Sequence, residues 1–254
     1  MYRRVVIKIG SAVLTDKDGG VSRERIFNIA TLVSKLHENG TEVILVSSGA
    51  VSAGYSKLQL DRNTIGNRQA LASIGQSYLM SIYQKKFAKF GIDIAQILLT
   101  EADLDSRRRS ENAKRTVDIL LKNGVVPIIN ENDSVATDEL VFGDNDQLSA
   151  HSTFYFDGDL LVILSDIDGY YDKNPRIYKD AKIIREVRKI EETELVQEVT
   201  PHHQFATGGI VTKLKSAKFL MERGKKMFLT SGFNLVDVET FLFTGKYQRG
   251  TLFL

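Results

Sequence analysis

"RRVVIKIGSAVLTDKDGGVSRERIFNIATLVSKLHENGTEVILVSSGA", Arg3 to Ala50, carries two β-branched runs on either side of one amphipathic run. "RRVVIKIG" reads as a strand, and "TEVILVSSGA" as a second strand that ends in small residues. Between them Ile26, Ile29, Ala30, Val33 and Leu36 recur at helical spacing, and Gly40 is a stop. Strand, helix, strand is the unit of a parallel crossover. The same alternation continues along the chain. A long helical region covers about Asn67 to Phe90, ending at Gly91. "IDIAQILLT" follows as a strand, "SENAKRTVDILLKNG" as a helix and "VVPIINEND" as a strand. "DNDQLSAHSTFYF" suits a helix capped by Asp144, and "DLLVILSD" a buried strand. Asp168 to Thr200 is long, polar and irregular. Then come the helical "GGIVTKLKSAKFLMERG", the strand "KKMFLTSG", the short helix "DVETFLFTG" and a closing strand "GTLFL". Strands alternating with helices predict an α/β fold with a mainly parallel sheet covered on both faces. In such sheets ligands bind beyond the carboxyl ends of the strands. Those ends are polar and glycine-rich here: "KIGSA", "SSGA", "NEND" and "SDIDG".

Composition limits the function classes. The 254 residues suit one large domain or two small ones. A formal charge of +2 gives no long-range reason to expect nucleic acid or an anionic membrane as a partner. Cysteine is absent, which excludes disulfides, thiolate catalysis and thiolate zinc sites. No run approaches the roughly 20 apolar residues that span a bilayer, and the N-terminal apolar run, broken by Lys8, is too short for a secretory signal. The expected location is the cytoplasm.

Several residues stand out at the strand ends. Lys8 interrupts an apolar strand, which is costly unless its ammonium finds an anion or reaches water. It is either an edge-strand lysine facing solvent or a phosphate-binding lysine, with Gly10 and Ser11 giving a tight turn and free N–H donors. Ser48 and Gly49 can offer donors to a carboxylate or phosphate, or simply form a turn. Ser165 and Asp166 are placed to meet a nucleotide, or belong to an ordinary acidic turn. "TGGIVTK", Thr207 to Lys213, lacks the spacing of a P-loop. Even so, Gly208 and Gly209 would open a helix whose free N–H groups attract anions, with Lys213 about one turn in. Lys215 and Lys218 can account for a solvated face without Lys213.

"INENDSVATDELVFGDNDQLSA", Ile129 to Ala150, holds Glu131, Asp133, Asp138, Glu139, Asp144 and Asp146. Such a cluster could bind a divalent metal, supply a catalytic acid and base, or receive a cation. His202 and His203 are adjacent, with His37 and His151 far off, and this is not the spaced ligand set of a zinc site. Arg107 to Arg109 reads as a solvated helix start or as an anion or partner contact. No G-x-G-x-x-G follows the first strand, which counts against a dinucleotide oxidoreductase.

"VVPIINENDSVAT", "FGDNDQLSA" and "ATGGIVTK", in that order, together with "VVIKIGSAVLT", "VSSGAVSAG" and "SIGQSYLM", resemble the amino acid kinase family over nearly the whole chain. Within it the likeness is to the branch that phosphorylates L-glutamate. The resemblance implies a three-layer αβα sandwich with an open sheet, the carbamate kinase-like fold, forming a single domain. It implies an amino-acid half at about 1–150 and a nucleotide half at about 151–254. It further implies that Ser48, Gly49, Asp133 and Asn145 contact glutamate and that Lys8 and Lys213 hold the transferring phosphate. Asp146 would orient the two lysines. Gly10, Ser11, Gly49 and Gly208 would surround the phosphates with donors. Ser165, Asp166 and the run Thr207, Gly208, Gly209, Ile210, Val211, Thr212 and Lys213 would line the ATP site. On this reading Asp133 pairs with the α-ammonium of glutamate, Asp138 and Glu139 are solvated hairpin residues, and Mg²⁺ arrives with the nucleotide. Homo-oligomers and feedback inhibition by proline are also implied. Many such enzymes carry a C-terminal domain of the PUA type, and this chain is expected to be the kinase domain alone. The alternatives are a kinase of another carboxylate, such as acetylglutamate or aspartate, and a sensor that binds both ligands without turnover.

Overall fold

The computed structural model describes residues 2–136, 145–175, 177–195 and 209–254. Among these the strands are β1 (Arg4–Ile9), β2 (Glu42–Ser47), β3 (Ile94–Leu99), β4 (Val126–Glu131), β5 (Leu160–Ser165), β6 (Glu186–Val187), β7 (Lys226–Ser231) and β8 (Thr251–Phe253). They form one sheet in the order β3-β4-β2-β1-β5-β7-β8-β6. Every pairing is parallel except β7 with β8. β1 is central, with Ile9 beside both Ser47 and Leu164. The chain builds outward from β1 through β2 and β4 on one side and through β5 and β7 on the other. The carboxyl end of β1 is therefore the topological switch point, where such sheets bind ligands.

Alternation along β1 sorts the two layers. Val5, Ile7 and Ile9 belong to one core, with α2 (Arg23–Glu38), α4 (Ile65–Phe87) and the closing helix that follows β7. Val6 belongs to the other, with residues from α6 (Arg107–Lys122), α7 (Asp146–Tyr155) and α8 (Ile210–Met221). The closing helix, α9 (Val236–Thr244), covers the first face through Val238, Phe241 and Leu242. Two layers of helices enclose one sheet, the three-layer sandwich expected.

Several short elements were not expected. The polar ends of β1, β2 and β3 turn straight into α1 (Ser11–Leu14), α3 (Ala50–Tyr55) and α5 (Glu101–Asp105). Strands this apolar mask the few residues that begin a one- or two-turn helix. The helix expected from Asn67 starts at Ile65, because the Thr64 side chain accepts from the Asn67 N–H. It ends in a 3-10 turn, Ala88–Phe90, at Gly91 with φ 66°. β6 arises inside the stretch expected to be irregular, by pairing with β8. α7 begins after Asn145 at its N-cap, and the expected cap Asp144 lies outside the described residues. No helix among the described residues is long and apolar enough to cross a membrane.

Candidate active site

Lys8 lies on the Val6 side of β1, facing the layer of α7 and α8, and is only 3% exposed. A solvent-facing edge position is excluded, because β1 is flanked by β2 and β5. The counter-charge comes from Asp146, the first residue of α7, which is 0% exposed. A carboxylate in the first turn is favoured by the helix dipole. Its Oδ1 accepts from Lys8 Nζ at 2.5 Å, and its Oδ2 accepts from Lys213 Nζ and Thr212 Oγ1, both at 3.0 Å. Lys213, in the first turn of α8, is 4% exposed. One carboxylate thus bridges two ammonium groups that would otherwise repel. The three groups sum to one positive charge in a nearly water-free site, an arrangement suited to an anion. Each ammonium carries three N–H donors.

The neighbouring turns are narrow. The Gly10 N–H donates to Leu164 O at 2.9 Å, and a Cβ on Gly10 would lie 3.2 Å from that oxygen. Ser11 opens α1 directly after it. Gly49 has φ 93°, a left-handed conformation that glycine adopts without strain, and it turns β2 into α3 just past Ser48. At the end of β5, Ser165 Oγ donates to Asp166 Oδ1 at 3.0 Å. Gly209 is the N-cap of α8, Ile210 and Val211 follow in its first turn, and Thr212 Oγ1 also donates to Gly209 O. Thr207 and Gly208 lie outside the described residues.

A second set of groups gathers beyond β4. Asn145 donates both amide hydrogens, to Ser47 O and to Asn130 Oδ1, each at 2.6 Å. Only its carbonyl oxygen is left to meet a ligand, so Asn145 presents an acceptor. Asn130 in turn accepts from the Glu131 N–H at 3.0 Å and donates to Gln76 Oε1 at 2.8 Å, and Gln76 donates to Gln96 Oε1 at 3.2 Å. This directional run of amides ties β4, α4 and β3 to the N-terminus of α7. Beside it is a cavity of about 150 Å³ lined by Glu131, Asp133, Gln76, Gln96, small polar residues and Leu98. It is well below the ~300–1,000 Å³ typical of clefts for drug-sized ligands. Asp133 is half-buried, and burial pushes its carboxyl up to about 6, offset in part by the charge of Arg68. A carboxyl whose burial outweighs the nearby charge of Arg68 favours a positively charged ligand group. A larger groove of about 580 Å³ lies at the far edge of the sheet beside Arg185, Lys246 and Tyr247, and none of the groups above reaches it.

Asn130 and Gln76 were missed by sequence reasoning, although both left a signal. Asn130 interrupts an apolar strand as Lys8 does, and Gln76 lies on the buried face of α4 between Ala72 and Leu79. The acidic stretch separates in space. Asp146 joins the lysines and Asp133 the cavity, while Asp138, Glu139 and Asp144 lie outside the described residues. Among the described residues no three His, Cys, Asp or Glu side chains come together to hold a metal. His151 packs on Phe219 at 4.4 Å, and His37 lies against Gly124. His202 and His203 fall outside the described residues. Arg107 and Arg109 form surface ion pairs with Glu111 and Asp103.

Comparison with known proteins agrees with this architecture. A family model described as the amino acid kinase family matches residues 3–231. A glutamate 5-kinase from Wolinella succinogenes is 54% identical, over 99% of this chain and 98% of that protein. One from Leishmania donovani is 50% identical, over 99% of this chain and 95% of that protein. Among solved structures, carbamate kinase from Giardia lamblia bound to AMP-PNP superposes with a TM-score of 0.67 at 18% identity, covering 98% and 97% of the two chains. An isopentenyl phosphate kinase substrate complex gives 0.65 at 16%, covering 98% and 99%. At such identities these structures share the fold alone.

Proposed function

The chain belongs to the amino acid kinase family, and we propose that it transfers the γ-phosphoryl group of ATP to the side-chain carboxylate of L-glutamate. The products are L-glutamate 5-phosphate and ADP, and the step opens proline biosynthesis. The observation that carries the reading is the Lys8–Asp146–Lys213 bridge at the switch point of the sheet. High identity to glutamate 5-kinases over the full chain supports the choice of acid.

The nucleophile is a carboxylate, ionised at neutral pH because its ordinary pKa is about 4.3. No general base is needed. One carboxylate oxygen bonds to the γ-phosphorus as the bond to the β–γ bridging oxygen breaks, and ADP leaves with that electron pair. What the site supplies is alignment and charge neutralisation, because the transition state spreads negative charge over the equatorial oxygens. Lys8 and Lys213 meet that charge, and Asp146 holds them apart at a fixed spacing. The backbone N–H groups of Ser11 and Gly49 add to the surround, while that of Gly10, expected as a donor, is already held by Leu164 O in the sheet. At the other end, Asp133 pairs with the α-ammonium and the Asn145 carbonyl adds a neutral acceptor. Ser48, at the turn that leaves β2, would contact glutamate as well.

The nucleotide lies over Ser165, Asp166 and the start of α8. Mg²⁺ would travel on its phosphates, as this ion commonly does. Residues of about 1–150 serve the amino acid and those of about 151–254 the nucleotide. Proline carries the same ammonium and carboxylate pair and would compete for the amino-acid end, and homo-oligomeric assembly belongs to the same reading.

The test is ADP release with L-glutamate, N-acetyl-L-glutamate and L-aspartate compared. L-Glutamate is expected to give the highest kcat/KM, because an acylated amine cannot pair with Asp133. Preference for N-acetyl-L-glutamate would overturn the assignment of the acid.

A further inference from the structure

An α-amino acid brings an ammonium and a carboxylate on one carbon. Asp133 accounts for the first, and the cavity beside it leaves the second unexplained. Among the described residues its lining contains Glu131 and Asp133 but no lysine or arginine. A carboxylate brought in beside two acids is strongly disfavoured unless a cation lies close by. The wall formed by α4 points to that cation. Ala72, Ser73 and Gln76 face the cavity, and Arg68 sits one turn before Ala72 on the same helix face. The chain after Asp133 runs back along these turns. Ser134 Oγ meets Ser73 Oγ at 2.8 Å, and Gln69 Nε2 donates to Ala136 O at 3.5 Å. Arg68 is the neighbour in sequence of Gln69, which meets the end of that segment. It is half-buried, and its charge is felt at the Asp133 carboxyl. Its planar fork of five N–H donors suits a carboxylate and can serve a second partner at the same time.

We propose that Arg68 receives the α-carboxylate of the amino-acid substrate, and so makes the enzyme select an α-amino acid over an amine that carries only the reacting carboxylate. The proposal rests on glutamate being the substrate. The discriminating probe is 4-aminobutyrate, which is L-glutamate without its α-carboxylate. For Arg68→Met, kcat/KM for L-glutamate should fall on the order of 10²-fold, the scale of losing one partner of a charge pair. The KM for ATP and the melting temperature should stay close to wild type. The value for 4-aminobutyrate should change less than about twofold, since it has no carboxylate for Arg68 to hold. Arg68→Lys keeps the charge but not the fork, and should recover part of the loss. Where turnover of 4-aminobutyrate is too slow, its inhibition constant against L-glutamate gives the same comparison. Equal losses for the two compounds, or an unchanged value for L-glutamate, would overturn the proposal. If the wild-type protein releases no ADP with L-glutamate, the substrate reading itself is wrong and the role of Arg68 falls with it.

Discussion

The two ends of the site differ in who supplies the balancing charge. At the proposed phosphate end, Lys8, Asp146 and Lys213 are all buried and already bridged within 3.0 Å. The fold completes this end, and a ligand finds it assembled. At the proposed amino-acid end, Asp133 is half-buried in a cavity whose lining, among the described residues, holds no basic side chain, and its carboxyl is pushed up to about 6. Burial there outweighs the charge of Arg68, and a ligand cation completes the balance. Phosphoryl transfer needs fixed charges that cost no reorganisation at the moment of reaction. Recognition of an amino acid can instead use an electrostatic penalty that the correct ligand removes.

If the phosphate end is preassembled, damaging it should hurt turnover most. Lys213→Ala is expected to lower kcat by about 10²–10³-fold, as for the loss of one preorganised donor. Steady-state ADP release measures it, and unchanged kcat would remove Lys213 from the reacting phosphate. Damage to the amino-acid end should appear in the KM for L-glutamate. Asp133→Asn is expected to raise it on the order of 10²-fold while the KM for ATP moves little. The same variant should melt at a higher temperature than wild type at pH 8, because it removes a poorly solvated negative charge from the empty cavity. Lower stability at that pH would contradict the penalty described for Asp133.

The third expectation concerns pH. The folded value of about 6 lies above the ordinary 3.8, so between them the folded protein keeps a proton that the unfolded chain has released. The contribution of Asp133 to stability is present below 3.8 and is lost as pH rises through about 6. Substrate binding runs the other way, because it needs the ionised form. The KM for L-glutamate should therefore rise about tenfold from pH 7 to pH 5, following one proton. A profile unchanged by Asp133→Asn would show that another group titrates. The smallest effect is expected from Gln76→Leu, which strips Asn130 of its acceptor and loosens Asn145 indirectly. A rise of about 3–10-fold in the KM for L-glutamate with kcat preserved is the expected split. A matching fall in kcat would mean that Gln76 supports the lysines rather than the cavity.

Much of this was legible in the chain. The alternation of β-branched runs with helical periodicity gave the layered α/β architecture, because burial on both sheet faces leaves a plain hydrophobic signature. Lys8 and Lys213 announced themselves by charge at a strand end and a helix start. The short helices did not, since one or two turns carry too few residues for a period. β6 was invisible for a different reason, as two residues become a strand only when β8 lies beside them.

Sequence alone determined which groups are present: two lysines, a set of carboxylates, glycine-rich strand ends and no cysteine. It also determined the order in which strands and helices follow one another, because periodicity is a local property. Tertiary structure alone decided which carboxylate meets which cation. Asp146 and Asp133 come from one acidic stretch, yet α7 carries the first beneath two lysines distant in sequence while the turn after β4 leaves the second facing a cavity. Electrostatic energy depends on distance through space and on burial, and neither quantity is written in residue spacing.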